Sequence, residues 1–395
     1  MNYWEVSLMD CQIKITDNKA VWKIQAALAL IFLLNPFLGV LSTLFFVFVS
    51  KEKSMAFYLV IILTLFMWCL QSTRSFHLGE PSDWAGNYYY NFHNAAITDT
   101  LTYLFFTTKE YAWQAFNLIG YYLFDGDFLS YANFIVALTY MFTFAAIYKF
   151  WNYIQADPRF LVASLCLFAF VTEVNGICNN LLRQQFAMSM MLYAIIERCT
   201  NGRILYPLLV ISFFTHTMTG FFIPFLFIRL GKKASFRFYI YIVLGFGLLY
   251  ILFTNLSIFS SSSFYAFQRL ATASNAYALK DIIQPSAVYP FLAVTVILYV
   301  KAFFFDSERR KCELYINNLF LILISMCLLM QTRYFIIRFF FMPLVVPYFF
   351  TAKGSLCDYY LITVPLCFAF RFFSTPSIWL ASSNDIVYRS IFDYL

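Results

Sequence analysis

Uninterrupted apolar runs about as long as a bilayer core is thick recur along this chain, and they restrict its fold more than any other feature. Tyr131 to Phe150 and Ala287 to Phe305 are two of them, each with one Lys near its end. At ~20 residues per crossing, such runs span lipid as helices. Stretches such as Phe238 to Phe253 show no period of two, so a transmembrane barrel, which alternates polar and apolar residues, is rejected. Composition agrees. Hydrophobic residues make up 62% of the chain and charged ones 12%, against ~25% charged in soluble domains, so this chain cannot clothe itself in polar surface. The expected fold is an all-α polytopic membrane protein, one domain over residues 1–395, with about 10–13 transmembrane helices, some short or broken.

Other classes fall away on composition. The formal net charge of +7 comes from short basic clusters between apolar runs, not from one basic face with interleaved aromatics, so nucleic acid is not an expected partner. Nine Cys are scattered, most within or beside apolar runs (Cys69, Cys166, Cys327, Cys367), with no C-x-x-C pair; they read as small buried hydrophobes. The N-terminus has no short apolar core followed by small-residue cleavage signals, so the first span is expected to stay as an anchor. Twelve Gly against fifty-one Phe and twenty-nine Tyr argue against backbone-to-backbone helix packing, and hence against a mobile transporter.

Basic clusters orient the chain, because cytoplasmic loops collect Lys and Arg. Lys51-Glu52-Lys53, Arg198 to Arg203, Arg229 to Arg237 and Arg309-Arg310-Lys311 are placed in the cytoplasm. A first span over Ile24 to Val49 then runs inward and a second over Met55 to Leu70 runs outward. That leaves two outer loops, near residues 72–126 and 254–286. Within the first, Tyr111 to Phe124 is too short for a span and reads as an interfacial or re-entrant helix. Spans near Tyr131 to Phe150, Phe160 to Val171 and Asn180 to Ile196 follow. Between the next two cytoplasmic clusters the chain must cross an even number of times, yet Ile204 to Ile228 suffices for one ordinary span. Two half-helices resolve this, their tip at Thr215 to Gly220, where hydroxyls and a Gly satisfy the freed backbone groups. Further spans are expected near Phe238 to Phe253, Val288 to Phe305, Leu314 to Met330, Tyr334 to Phe350 and Tyr359 to Phe373.

Ionised side chains inside a membrane segment cost ~2.5–3.5 kcal/mol on insertion scales and usually face a cavity or a partner. Arg183 opens a segment that turns apolar up to Ile196. It reads either as an arginine snorkelling to headgroups or as a fixed cation suited to phosphate. Arg333 and Arg338 flank another outer boundary. Three such arginines without acids beside them in sequence leave charge to be neutralised, by a lipid pyrophosphate or by headgroups and acids such as Glu110, Asp125, Asp127 or Glu173. His216, at the expected break, reads as a hydrogen-bonded structural residue or as a substrate-contacting base. Trp84 and Tyr88 to Tyr90 suit sugar stacking or an aromatic belt.

The residues Leu182-Arg183-Gln184-Gln185-Phe186-Ala187, an apolar helix, a short basic loop and then Phe213-Phe214-Thr215-His216-Thr217 resemble EpsG-like and Wzy-type polysaccharide polymerases. In that family an Arg-Gln pair opening a helix is similarly followed by a Phe-His in a paired helix. Arg74 to Tyr90, with Gly79, Asp83 and Tyr88, resembles the family's outer Arg, Gly, Asp, Tyr loop, although Glu80-Pro81-Ser82 separates Gly79 from Asp83. Glu110 resembles the acid before an amphipathic helix, and Arg333 to Arg338 the final arginine-bearing span.

The resemblance implies a GT-C-like glycosyltransferase of the bacterial inner membrane; no acidic cluster with metal-ligand spacing is apparent in the sequence, so metal-independent chemistry without a cofactor is expected. The enzyme would polymerise undecaprenyl-diphosphate-linked oligosaccharide repeat units at the periplasmic face, as an O-antigen (lipopolysaccharide), capsule or exopolysaccharide polymerase. Donor, acceptor, bilayer and a chain-length regulator protein are the implied partners. Cations must hold the diphosphate and a base must take the acceptor's proton. Arg183, Arg333 and Arg338 are expected in the first role and His216 in the second, with Arg183 and His216 as catalytic residues. Gln184, Arg74, Asp83, Tyr88, Glu110 and Arg269 are expected substrate contacts. A flippase for lipid-linked saccharides would instead continue polar residues through the full membrane depth. A membrane acyltransferase would place its His in a cavity reaching an acyl donor.

Overall fold

The computed structural model describes residues 18–50, 52–80, 82–106, 110–228, 230–232, 311–329, 338–345 and 390–393, with isolated positions between 237 and 248 and at 370. Every regular element among them is helical. Contacts divide the chain into two compact units, one of Met1–Ile223 with Gly354–Leu395 and one of Pro224–Lys353.

The first unit begins with α1 (Asn18–Leu34) and α2 (Pro36–Ser50). Here the expected single span over Ile24 to Val49 is corrected. Asn35 ends α1 through its N–H to Ile31 O at 2.8 Å, and its Oδ1 caps Leu38 N–H at 2.9 Å. Pro36, which has no N–H to donate back into α1, takes the first position of α2, where none is needed. The chain reverses there so tightly that a Cβ on Gly39 would lie 2.4 Å from Phe32 Cα.

Among the described residues, two helices are long and apolar enough to cross a membrane: α3 (Lys53–Ser72) and α7 (Phe128–Tyr153). They match the runs expected at Met55 to Leu70 and Tyr131 to Phe150. A third crossing arises if α8 (Pro158–Ala169) and α9 (Thr172–Asn180), bent by 56°, form one broken span. The region expected as an outer loop is largely helical: a π-helical turn (Trp84–Tyr88), α4 (Tyr89–Ile97), α5 (Thr100–Phe106) and α6 (Tyr111–Leu123). Aromatic packing holds it down, with Trp84 edge-on to Phe128 at 5.7 Å and Phe92 stacked on Tyr131 at 4.8 Å. Trp84 is therefore core, neither an interfacial belt nor a sugar platform. α10 (Leu182–Asn201) follows, then α11 (Tyr206–Thr215), a 3-10 turn (Thr217–Phe222) and α12 (Ile223–Phe227), which runs into the second unit.

α3 and α6 turn apolar side chains outward and bury polar ones, the reverse of helices in a soluble bundle. On α3, Phe57, Ile61 and Leu65, one turn apart, are exposed while Gln71 is fully buried. α6 buries Gln114 and Asn117 and exposes Ile119, Tyr122 and Leu123. Apolar faces turned outward and polar side chains turned inward suit lipid as the surrounding solvent.

Helix directions define two ends. Phe57 meets Tyr148 and Lys53 meets Gln155, so α3 and α7 run antiparallel. Phe142 meets Phe186 and Lys149 pairs with Glu197, so α10 runs parallel to α7. One end therefore gathers Lys53, Gln155, the Asp157–Arg159 pair and Arg198. The other receives the start of α10, the end of α3 and, after α11 returns with Ser212 bonded to Ala187 O, His216.

In the second unit, α13 (Lys311–Leu329) covers the span expected near Leu314 to Met330, and Tyr315 and Asn318 bond the carbonyls of Phe225 and Leu230. α14 (Arg338–Val345) lies within the run expected at Tyr334 to Phe350. The expected spans near Val288 to Phe305 and Tyr359 to Phe373 and the loop at 254–286 lie outside the described residues, except for position 370.

Candidate functional site

The site is built from three breaks in the helical chain. α9 is polar, with Asn175 and Asn179 fully buried. Asn179 Nδ2 donates to Asn175 Oδ1 at 2.7 Å and Asn175 Nδ2 to Tyr140 at 2.9 Å, while Asn179 Oδ1 is buried with no hydrogen-bond partner among the described residues. The helix stops at Asn180, and α10 restarts at Leu182 with Arg183 in its first turn. The second break is His216, extended at φ −153° and ψ 116° between α11 and the 3-10 turn. A break within the stretch expected at Thr215 to Gly220 is thus found. Its polar groups are met as the sequence suggests: Met218 N–H donates to His216 Nδ1 at 3.3 Å, and Thr219 donates its N–H (3.1 Å) and hydroxyl (3.0 Å) to His216 O. Gly220 serves close approach, since a Cβ there would sit 2.7 Å from the Phe213 ring. The third is Glu110, immediately before α6.

These breaks converge. Arg183 Nη1 lies 2.5 Å from Glu110 Oε2, and His216 Nε2 lies 4.0 Å from Glu110 Oε1. All three side chains are partly open, at 20%, 12% and 21% exposure for Arg183, Glu110 and His216. Arg183 is thus no uncompensated cation: Glu110 neutralises it. The guanidinium is still not saturated, because its buried Nε has no hydrogen-bond partner among the described residues. Tyr88 braces it, with its ring centroid 6.0 Å from the Arg183 guanidinium carbon and its phenol oxygen bonded to the Arg183 backbone. Burial pushes the Tyr88 phenol up to about 12, which keeps it neutral at physiological pH. Gln184, nearly buried, donates to Met218 Sδ at 3.3 Å and ties α10 to the 3-10 turn.

A sequence model described as EpsG family matches residues 57–394. The chain belongs to the EpsG family. No curated protein and no solved structure matches it. EpsG is a Wzy-like polysaccharide polymerase family, so the chemistry to be explained is polysaccharide polymerisation at a membrane.

In this EpsG-family chain the expected site residues separate into groups. Arg183, His216, Glu110, Gln184 and Tyr88 come together. Arg74 and Asp83 sit beside them, attached to the same break: Arg74 Nη1 donates to Asn179 O at 3.2 Å and Asp83 N–H to Asn180 Oδ1 at 3.0 Å. Arg74 is buried, paired with Glu80 at 2.7 Å and stacked 3.5 Å over Trp84. Burial lowers its pKa to about 10, so it remains a cation. Arg269 and Arg333 lie outside the described residues, as does the side chain of Arg338, whose backbone opens α14. Sequence reasoning missed Asn175, Asn179 and Asn180 as organisers of the break. The available signal was a set of amides inside an otherwise apolar stretch.

Proposed function

We propose that this EpsG-family protein polymerises undecaprenyl-diphosphate-linked oligosaccharide repeat units at the periplasmic face of a bacterial inner membrane, through a GT-C-like bundle. The observation that carries the reading is the convergence of Arg183, Glu110 and His216 from three separate helix breaks. They lie at the end opposite Lys53, Arg159 and Arg198, and basic residues favour the cytoplasmic side.

In the reaction an acceptor hydroxyl oxygen attacks the anomeric carbon of the growing chain. The bond from that carbon to the diphosphate oxygen breaks, and the lipid diphosphate leaves with the electron pair. Arg183 stabilises the developing charge through donors that Glu110 does not occupy, with Arg333 and Arg338 as further phosphate-binding candidates; guanidinium groups take the role a metal plays elsewhere. Because His216 Nδ1 accepts the Met218 N–H, Nε2 carries the ring proton of the neutral imidazole. His216 therefore acts as a donor, and the hydroxyl's proton passes to Glu110. Diphosphate binding to Arg183 draws that cation off the carboxylate and leaves a Glu110 oxygen able to accept the proton.

The test is purified protein with lipid-linked repeat units and no other enzyme. Products of increasing length are expected from the native chain. Arg183→Ala and His216→Ala are each expected to lose about 10²–10³-fold in rate while eluting as the native protein does. Full chain growth by both variants, or transport of the lipid without polymer, overturns the proposal.

A further inference from the structure

Beside the Arg183 cluster lies a cavity of about 480 Å³ lined by Glu80, Ser82, Asp83, Tyr90 and Asn180, together with Leu78 and the backbone of Ala85–Gly86. Its size falls within the ~300–1,000 Å³ usual for small-molecule sites. Its chemistry differs from that of the cluster. Glu80 is already engaged by Arg74 and by the Ser82 hydroxyl. The Asp83 carboxylate pairs with no cation among the described residues, and the Asn180 amide, whose Oδ1 holds Asp83 N–H, retains its NH₂. Tyr90 is 56% exposed, unlike the buried Tyr88 on the same stretch. No third His, Cys, Asp or Glu joins Glu80 and Asp83 to make a metal set among the described residues.

A carboxylate acceptor, an amide donor and an open aromatic ring around one cavity match vicinal hydroxyls on one edge of a sugar and the apolar face of its ring. With Glu80 neutralised by Arg74, the Asp83 carboxylate is the charge that opposes phosphate and carboxylate groups. We propose that this cavity is a saccharide subsite that holds the acceptor's terminal sugars and selects neutral or amino sugars over anionic ones. The subsite rests on the polymerase reading for its role in the reaction. The local fold carries it to the reacting groups: Asn180 precedes Arg183 across the α9–α10 break, and the turn that starts after Asp83 ends at Tyr88, whose ring centroid lies 6.0 Å from the Arg183 guanidinium carbon. Acid-lined sugar subsite and arginine-bearing phosphate site thus share one wall, which separates acceptor from diphosphate by charge.

The experiment uses the full chain in detergent and two probes: the source strain's lipid-linked repeat unit for chain growth, and the same oligosaccharide freed of lipid and phosphate for binding by saturation-transfer NMR. The free oligosaccharide is expected to bind the native chain and Arg183→Ala alike. Asp83→Asn, which conserves shape, and Tyr90→Ala are expected to weaken that binding by about tenfold or more. They are also expected to raise the acceptor KM with little change in kcat. Chain growth with binding unchanged in both variants overturns the subsite and leaves the polymerase reading standing. Binding that depends on Asp83 in a protein that builds no polymer does the reverse. Equal binding of a uronic-acid oligosaccharide by the native chain overturns the proposed selectivity.

Discussion

Two ion pairs of similar burial join helices at opposite ends of the first unit, and they differ in what surrounds them. Lys149 and Glu197 sit in unbroken stretches of α7 and α10, with Lys149 also over the Tyr193 ring at 5.5 Å. Arg183 and Glu110 sit where helices begin after a break, with His216 at a third break beside them. A pair between continuous helices closes on itself. At a break the backbone needs side chains to satisfy it, and those polar side chains bring space and unused donors with them. In this chain the proposed machinery lies where the helices stop, and charge alone does not distinguish it.

Replacing Glu110 tests that contrast most severely. Glu110→Gln keeps the side chain's shape and removes both the proton acceptor and the charge facing Arg183. Chain growth is expected to fall about 10²–10⁴-fold, the range for loss of a general base. Binding of inorganic pyrophosphate, followed by calorimetry, is expected to tighten because Arg183 loses its competing anion. Undiminished chain growth would remove Glu110 from the chemistry and return the base role to His216.

The next effect is on stability. Arg74 is buried against Trp84 and Glu80 and holds Asn179 O, so Arg74→Ala strands the Glu80 charge and loosens the loop from the α9–α10 break. A loss of about 3–5 kcal/mol is expected, as for a buried pair deprived of one partner. It is read as a lower thermal midpoint of the purified protein, with the surviving folded fraction still active. An unchanged midpoint would mean that Arg74 serves substrate and not the fold.

The spans over α3 and α7 were legible because a continuous apolar run of that length has one stable answer in lipid. The break at His216 was legible from an arithmetic of crossings, reinforced by Thr and Gly at the tip. The reversal at Asn35-Pro36 escaped because both arms are apolar and the combined run has the length of one span; only the Pro marked it. At the site, Arg183 and His216 stood out as polar residues in apolar surroundings, whereas their bond to Glu110 joins residues far apart in sequence and no local pattern encodes it. The burial of Trp84 and Tyr88 beside an open Tyr90 was likewise set by tertiary packing against Phe128 and Trp113.

The smallest effect is expected at the opposite end. Lys149 is partly open to solvent and bonds Glu197, which also accepts from Asn201. Lys149→Met retains the aliphatic stem against Tyr193 and leaves Glu197 with Asn201 as a partner. The expected cost is about 1 kcal/mol or less, the scale of a pair with partial solvent access, and chain growth is expected to stay within about twofold of native. A loss on the scale of Glu110→Gln would mean that charge at this end is coupled to the reaction, and the distinction between closed pairs and broken helices would not hold.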